Sequence, residues 1–292
     1  MSALVAVTGA TGGVGGRVAR RLSDRGVAQR LVVRDLARAP AVVGADIEEM
    51  GPAGYRDQVA LSEVLRGAAT LFLVSGRESD RRVVEHAHAV RAAVDAGVER
   101  IVYTSFLGAA PDATFTFARD HHATEQLIRE SGLAYTFLRD SQYLDYVPLL
   151  PGSDGVIRGP AGDGRIAWVS RDDVADVAAE VLAAGGGEHD GQTYDLTGPE
   201  AHTLTWAAEQ LSVATGREVT FEDESMQEAY ASRAAFDARD FEVDGWVTSY
   251  AAVATGEMDV VGDAVPRVAG HPAQDLPGWL AANPKAWAHL TA

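Results

Sequence analysis

The stretch Leu4-Val5-Ala6-Val7-Thr8-Gly9-Ala10-Thr11-Gly12-Gly13-Val14-Gly15-Gly16 restricts the fold more than any other part of this 292-residue chain. Its apolar start, Leu4 to Val7, reads as a parallel strand covered on both faces. Glycines at positions 9, 12 and 15 follow, and Val18, Ala19 and Leu22 then open a helical apolar stripe. Glycine at a strand end allows a tight turn and lets a ligand approach the main chain. The helix behind it presents unpaired N–H groups and a partial positive charge. Strand, glycines and helix in that order predict a pyrophosphate-binding turn contributed by Gly9, Thr11, Gly12, Gly13, Val14 and Gly15.

The totals exclude several classes. A net charge of −17 argues against nucleic acid, which requires a basic face. It also means that a bound dinucleotide depends on local cations. No run approaches the roughly 20 apolar residues of a membrane span, and the N-terminus carries no leader pattern, so a cytoplasmic protein is expected. Without cysteine there is no disulfide, thiolate ligand or cysteine nucleophile. Lys285 is the only lysine.

Further along, Gln29–Arg34, Ala45–Met50, Ala69–Gly76, Arg100–Ser105 and Leu133–Arg139 read as strands separated by helical segments. This alternation predicts a Rossmann-type α/β fold, a doubly wound parallel sheet. Ligands of such sheets sit at the carboxyl ends of the strands, which groups the glycine turn with Arg34, Val74, Ser75, Gly76, Thr104, Ser105 and Phe106. At the second strand's end an arginine favours the 2′-phosphate of NADP and an acid favours NAD. Arg34, with Arg38 four residues on, predicts NADPH over NADH, although Asp35 follows directly. In the next long helix Val83, Val84, Ala87, Val90, Ala93 and Val94 are expected to be buried, and His86 and His88 exposed. Past Asp140 the prolines and glycines multiply, predicting a smaller mixed α/β C-terminal lobe. The expected division is residues 1–140 with a returning segment 166–197 for the nucleotide, and 141–292 for the substrate.

These residues resemble the NmrA-like branch of the atypical short-chain dehydrogenase/reductases, and within it the bacterial NADPH-dependent quinone oxidoreductases. The likeness rests on Thr8-Gly9-Ala10-Thr11-Gly12, Val33-Arg34, Tyr103-Thr104-Ser105, His121-x-x-x-Glu125, Ser131 to Thr136, Ala161 to Arg165 and Gly270-His271-Pro272. The wider superfamily uses a tyrosine and a lysine four residues later. Aligned on the strand Leu133–Leu138, those places hold Phe117 and His121. The resemblance therefore implies hydride transfer without that pair. It places His121 beside the nicotinamide ribose, with Glu125 setting its tautomer or charge, and makes Ser105 a substrate-orienting residue or a strand cap. Phe117, Gln142 and Tyr143 would face the substrate, with His121, Ser105 and Tyr143 as catalytic candidates and no metal.

A missing acid suits a quinone or similarly electrophilic acceptor, because hydride addition yields a delocalised hydroquinone anion that water protonates. A ketone would need a positioned donor. On this reading, pH dependence below 8 comes from His121. Two alternatives stand beside it: an NADP(H)-binding redox sensor without turnover, and a reductase of a biosynthetic pathway. A monomer or homodimer acting on a small molecule is expected.

Overall fold

The computed structural model describes residues 3–291. Its centre is a seven-stranded sheet built from β1 (Val5–Val7), β2 (Gln29–Val33), β3 (Asp46–Glu49), β4 (Thr70–Leu73), β5 (Arg100–Phe106), β6 (Ala134–Asp140) and, much later, a strand at Gln192–Leu196. The spatial order is β3-β2-β1-β4-β5-β6 and then that last strand, with every pairing parallel. The connecting helices are α1 (Gly15–Asp24), α2 (Gln58–Leu65), α3 (Arg82–Asp95) and α4 (Thr116–Glu130). The predicted Rossmann-type sheet is thus present. Its order reverses beside β1, at the glycine turn, and this is where such sheets open a crevice.

Beyond β6 come β7 (Val156–Gly159), β8 (Arg165–Ile166) and α5 (Arg171–Ala183), after which β9 (Gln192–Leu196) closes the sheet. Then follow β10 (His202–Thr203), α6 (Leu204–Thr215), β11 (Thr220–Asp223), α7 (Met226–Arg233), α8 (Asp240–Ala254), α9 (Leu276–Ala282) and α10 (Pro284–Trp287). Ser170 caps α5 by accepting from Asp173 N at 2.9 Å, and Thr203 caps α6 likewise. One core packs Val18, Ala19 and Leu22 of α1 against Val174, Val177 and Ala178 of α5. A second lies under α2 and α3, and a third, around Ile157, Trp168, Leu211 and Trp279, holds the C-terminal elements together.

The buried face of α3 differs from its apolar pattern. Arg82, His86, Ala89, Val90, Ala92 and Ala93 turn inward, whereas Val84 and Val94 are exposed. His86 is therefore fully buried, not a surface residue. Polar partners hold it there: Gly76 N donates to Nε2 at 2.8 Å and Thr124 Oγ1 lies 2.8 Å from Nδ1.

Candidate active site

The glycine turn is shaped by backbone crowding. Gly9 has φ +62°, and a Cβ there would lie 2.8 Å from Val74 Cβ, so the β1 and β4 ends nearly touch. Gly12 N donates to Gly9 O at 2.8 Å, and any side chain on Gly15 would run into that same carbonyl. Thr11, Gly12 and Gly13 are exposed, Val14 is buried, and no side chain caps the start of α1. Free N–H groups at the start of α1, behind a turn rich in glycine, fit a pyrophosphate. Tyr55 braces the floor, its Oη 2.7 Å from Val74 O and 2.8 Å from Thr8 Oγ1.

At the end of β2, Arg34 and Arg38 are exposed and neither has a carboxylate partner among the described residues. The stem of Arg34 leans over Gly54, where a Cβ would lie 3.2 Å from Arg34 Cδ. Asp35 is turned away: its carboxylate accepts from Ala37 N at 2.9 Å and caps the short turn Leu36–Arg38. The acid that clouded the sequence reading is engaged in the turn, and the two guanidinium groups are free to receive a phosphate.

Across the crevice, Thr104 joins two strand ends, its Oγ1 accepting from Ser75 N at 2.8 Å. Gly76 is fixed by His86, as described above. Ser105 Oγ donates to Glu125 Oε1 at 2.6 Å. Glu125 is fully buried and held by Arg139 through both carboxylate oxygens, at 2.8 and 2.7 Å. That pairing corrects the expectation that Glu125 orients His121. The β5–β6 register sets Arg139 opposite Ser105, so the carboxylate closes on that pair instead.

His121 points into a buried polar layer. Its Nδ1 is 3.0 Å from Tyr103 Oη, and Arg82 Nη2 is 3.1 Å from Nε2. A guanidinium can only donate, so Nε2 accepts and the proton sits on Nδ1. Burial first, then the charges of Arg82, His86 and Arg139, hold its pKa well below the usual histidine value. Burial and the Arg82 hydrogen bond thus favour the neutral imidazole, which runs against the expectation that His121 sets the pH dependence. Arg82 is itself buried, and its Nε and Nη1 have no partner among the described residues.

On the reacting side, burial pushes the Asp140 carboxyl, at the end of β6, up to about 7 against the opposing pull of Tyr143 and Arg171. Tyr143 Oη donates to Asp140 Oδ2 at 2.6 Å, and burial and the Asp140 charge raise the phenol well above 10. Gln142 lies beside it, partly buried, its carbonyl accepting from Val169 N. Phe117 packs on Gly245 of α8 and near Phe241. Phe106 and Phe115, with ring centroids 4.9 Å apart, continue this aromatic wall toward His121. None of Arg82, His86, Tyr103 and Arg171 is among the site residues expected from the sequence, where His86 was placed on the surface and Tyr103 only marked the resemblance. His86 had the i,i+3 and i,i+4 spacing to the buried Ala89 and Val90 as a signal, and the others had none.

An uncapped helix behind a glycine turn at a sheet's switch point, with two free arginines beside it, defines a dinucleotide-binding α/β protein. The chain belongs to the NAD(P)H-binding family, whose model matches residues 9–184. It is 34% identical to quinone oxidoreductase 2 of Escherichia coli, over 94% of this chain and 96% of that one. The crystal structure of that NADPH-dependent enzyme with NADPH superposes with TM-score 0.85, at 31% identity, over 99% of this chain and all of the other. The chain is 35% identical to the (4-alkanoyl-5-oxo-2,5-dihydrofuran-3-yl)methyl phosphate reductase of Streptomyces griseus, covering 98% of this chain and 99% of the relative. The transcriptional regulator Nmra shares the fold, with TM-score 0.75 at 16% identity over 96% of this chain and 94% of that one. The resemblance read from the sequence is borne out.

Proposed function

We propose that this chain is an NADPH-dependent oxidoreductase that reduces a quinone or a similarly electrophilic, conjugated small molecule. The observation that carries the reading is the state of the reacting side. The superfamily's acid and its lysine are replaced by Phe117 and His121, and the donors of Ser105, His121 and Tyr143 are all committed to protein neighbours. The full-length likeness to a quinone oxidoreductase supports the same choice.

The glycine turn and the α1 N-terminus would hold the pyrophosphate, and Arg34 and Arg38 the 2′-phosphate. NADPH supplies the hydride. The chain's own part is to position the acceptor between the strand ends of β5 and β6 and the wall of Phe106, Phe115 and Phe117, and to exclude water there. Ser105, whose one O–H is given to Glu125, keeps lone pairs on Oγ that would accept from a hydroxyl of the bound molecule. In this reading residues 1–140 with 166–197 hold the nucleotide and 141–292 present the acceptor. A cytoplasmic setting and a monomer or homodimer go with it.

The Streptomyces relative favours a second reading, a reductase of a conjugated lactone bearing a phosphate, within a biosynthetic sequence. One experiment addresses both: loss of NADPH absorbance by purified protein against quinones, conjugated lactones, aldehydes and simple ketones. Turnover of quinones with ketones untouched is expected. Robust ketone reduction would overturn the reading, and tight NADPH binding without any turnover would favour a sensor.

A further inference from the structure

The first residue of α5 reaches back over the glycine turn. A Cβ built on Gly13 would lie 3.0 Å from Arg171 Cδ, 3.2 Å from Nε and 3.4 Å from Cζ. The space above Gly13 is thus taken by an arginine stem, and Gly13 lacks a side chain for that reason as well as for ligand approach. The guanidinium carbon sits 4.7 Å from the ring centroids of both Tyr143 and Tyr146. Its Nη1 donates to Asp145 Oδ1 at 3.1 Å, and Arg17 Nη2 approaches the same oxygen at 3.8 Å. Asp145 Oδ2 is buried without a hydrogen-bond partner among the described residues.

The neighbouring cations are more heavily neutralised. Arg17 also pairs with Asp172 at 3.1 Å, and Arg21 pairs with both Asp172 and Asp176. Arg171 has Asp145 as its one carboxylate partner among the described residues, through a single Nη. Stacking on two rings and one hydrogen bond fix the plane of the fork and leave its other N–H groups uncommitted. In a chain of net charge −17, a preformed guanidinium at the phosphate turn suits a doubly charged diphosphate.

We propose that Arg171 is a clamp on the pyrophosphate of the bound dinucleotide, held over the glycine turn by Asp145, Tyr143 and Tyr146. The assignment rests on the nucleotide reading above and adds a residue to it. Because the pyrophosphate is common to NADPH and NADH, Arg171 acts on both, whereas Arg34 discriminates between them. Tyr143, on the acceptor side, feels the cofactor through the shared guanidinium.

The test compares full-length wild type with Arg171→Met by calorimetric titration of NADPH and of NADH, with competition by adenosine 2′-phosphate, which lacks a pyrophosphate. Both dinucleotides should bind about tenfold to a hundredfold more weakly, the scale of a hydrogen bond between charged groups. Their affinity ratio and the affinity of adenosine 2′-phosphate should be unchanged. Arg171→Lys, which keeps the charge and loses the planar fork, should fall between wild type and Arg171→Met, and it serves alone if the Met variant does not fold. Unchanged dinucleotide affinity, a loss confined to NADPH, or an equal loss for adenosine 2′-phosphate would each overturn the clamp. A wild type that binds neither dinucleotide would overturn the nucleotide reading and the clamp together.

Discussion

The two sides of the crevice use polar groups in opposite ways. On the nucleotide side, Thr11, Gly12 and Gly13 are exposed, the α1 start is uncapped, and Arg34 and Arg38 extend without a carboxylate partner among the described residues. On the reacting side, Ser105 is tied to Glu125, Tyr143 to Asp140, and His121 to Tyr103 and Arg82. One side offers donors to a charged guest; the other turns its donors inward. The difference teaches that recognition here is electrostatic and directional, while the reaction is left to positioning and to an acceptor that needs no protein acid.

The largest expected effect breaks the nucleotide side outright. Gly15→Ala drives a methyl into Gly9 O, with backbone on both sides of the clash. Overpacking of this kind costs about 1–3 kcal/mol. Dinucleotide binding should be lost in a titration, with a lower melting temperature. Full affinity in that variant would mean that the turn is more pliable than its packing implies.

Arg34→Ala leaves the turn intact and sharpens the contrast. NADPH should bind about tenfold to a hundredfold more weakly, and NADH should hardly change. Equal weakening of both would show that Arg34 serves the fold or the pyrophosphate.

On the reacting side, His121→Ala removes the one hydrogen-bond partner that the buried Arg82 guanidinium has among the described residues. An unpaired buried donor costs about 1–3 kcal/mol, more when charged, so chemical denaturation should show a clear loss of stability. The quinone rate should drop only modestly. The shape of its pH profile should persist, because the neutral imidazole is not the titrating group. A profile flattened by this substitution would restore His121 as the source.

The smallest effect on cofactor binding concerns Asp140, whose signature is a slope of stability with pH. Its carboxyl is raised from 3.8 to about 7 in the folded protein, so protonation favours the fold. This contribution is fully present below about pH 4 and is lost as pH rises through about 7. His86 runs the other way: burial lowers it to about 3, so its contribution is present above about 6.5 and lost on acidification. Asp140→Asn removes the opposing contribution, and melting temperature should then fall more steeply between pH 7 and 4 than in wild type. Identical slopes would sink the assignment.

Much of the nucleotide side was legible because its signals are local. Glycine spacing, a short β-branched run and an arginine at a strand end carry their meaning within a few residues. The reacting side was less so. The helical spacing of His121 and Glu125 suggested a pair, but strand register, set by residues distant in sequence, brought Arg139 to the carboxylate first. His86 was misread because α3 buries its Arg82–His86 face while leaving Val84 and Val94 to solvent, which reverses the usual guide to burial. Arg171 carries no local signal, and only the packing of α5 on α1 brings it over Gly13.

Strand β9 has a consequence for the order of synthesis. It covers the outer edge of β6, pairing Thr136–Asp140 with Gln192–Leu196, yet it leaves the ribosome only after the whole 141–191 excursion. Until then β6 presents a bare row of N–H and C=O groups on a strand that carries Phe137 and Leu138, the kind of edge that recruits other chains. A product ending at residue 140, which has the first six strands of the sheet but neither α5 nor β9, should therefore aggregate, and one extended past residue 197 should remain dispersed.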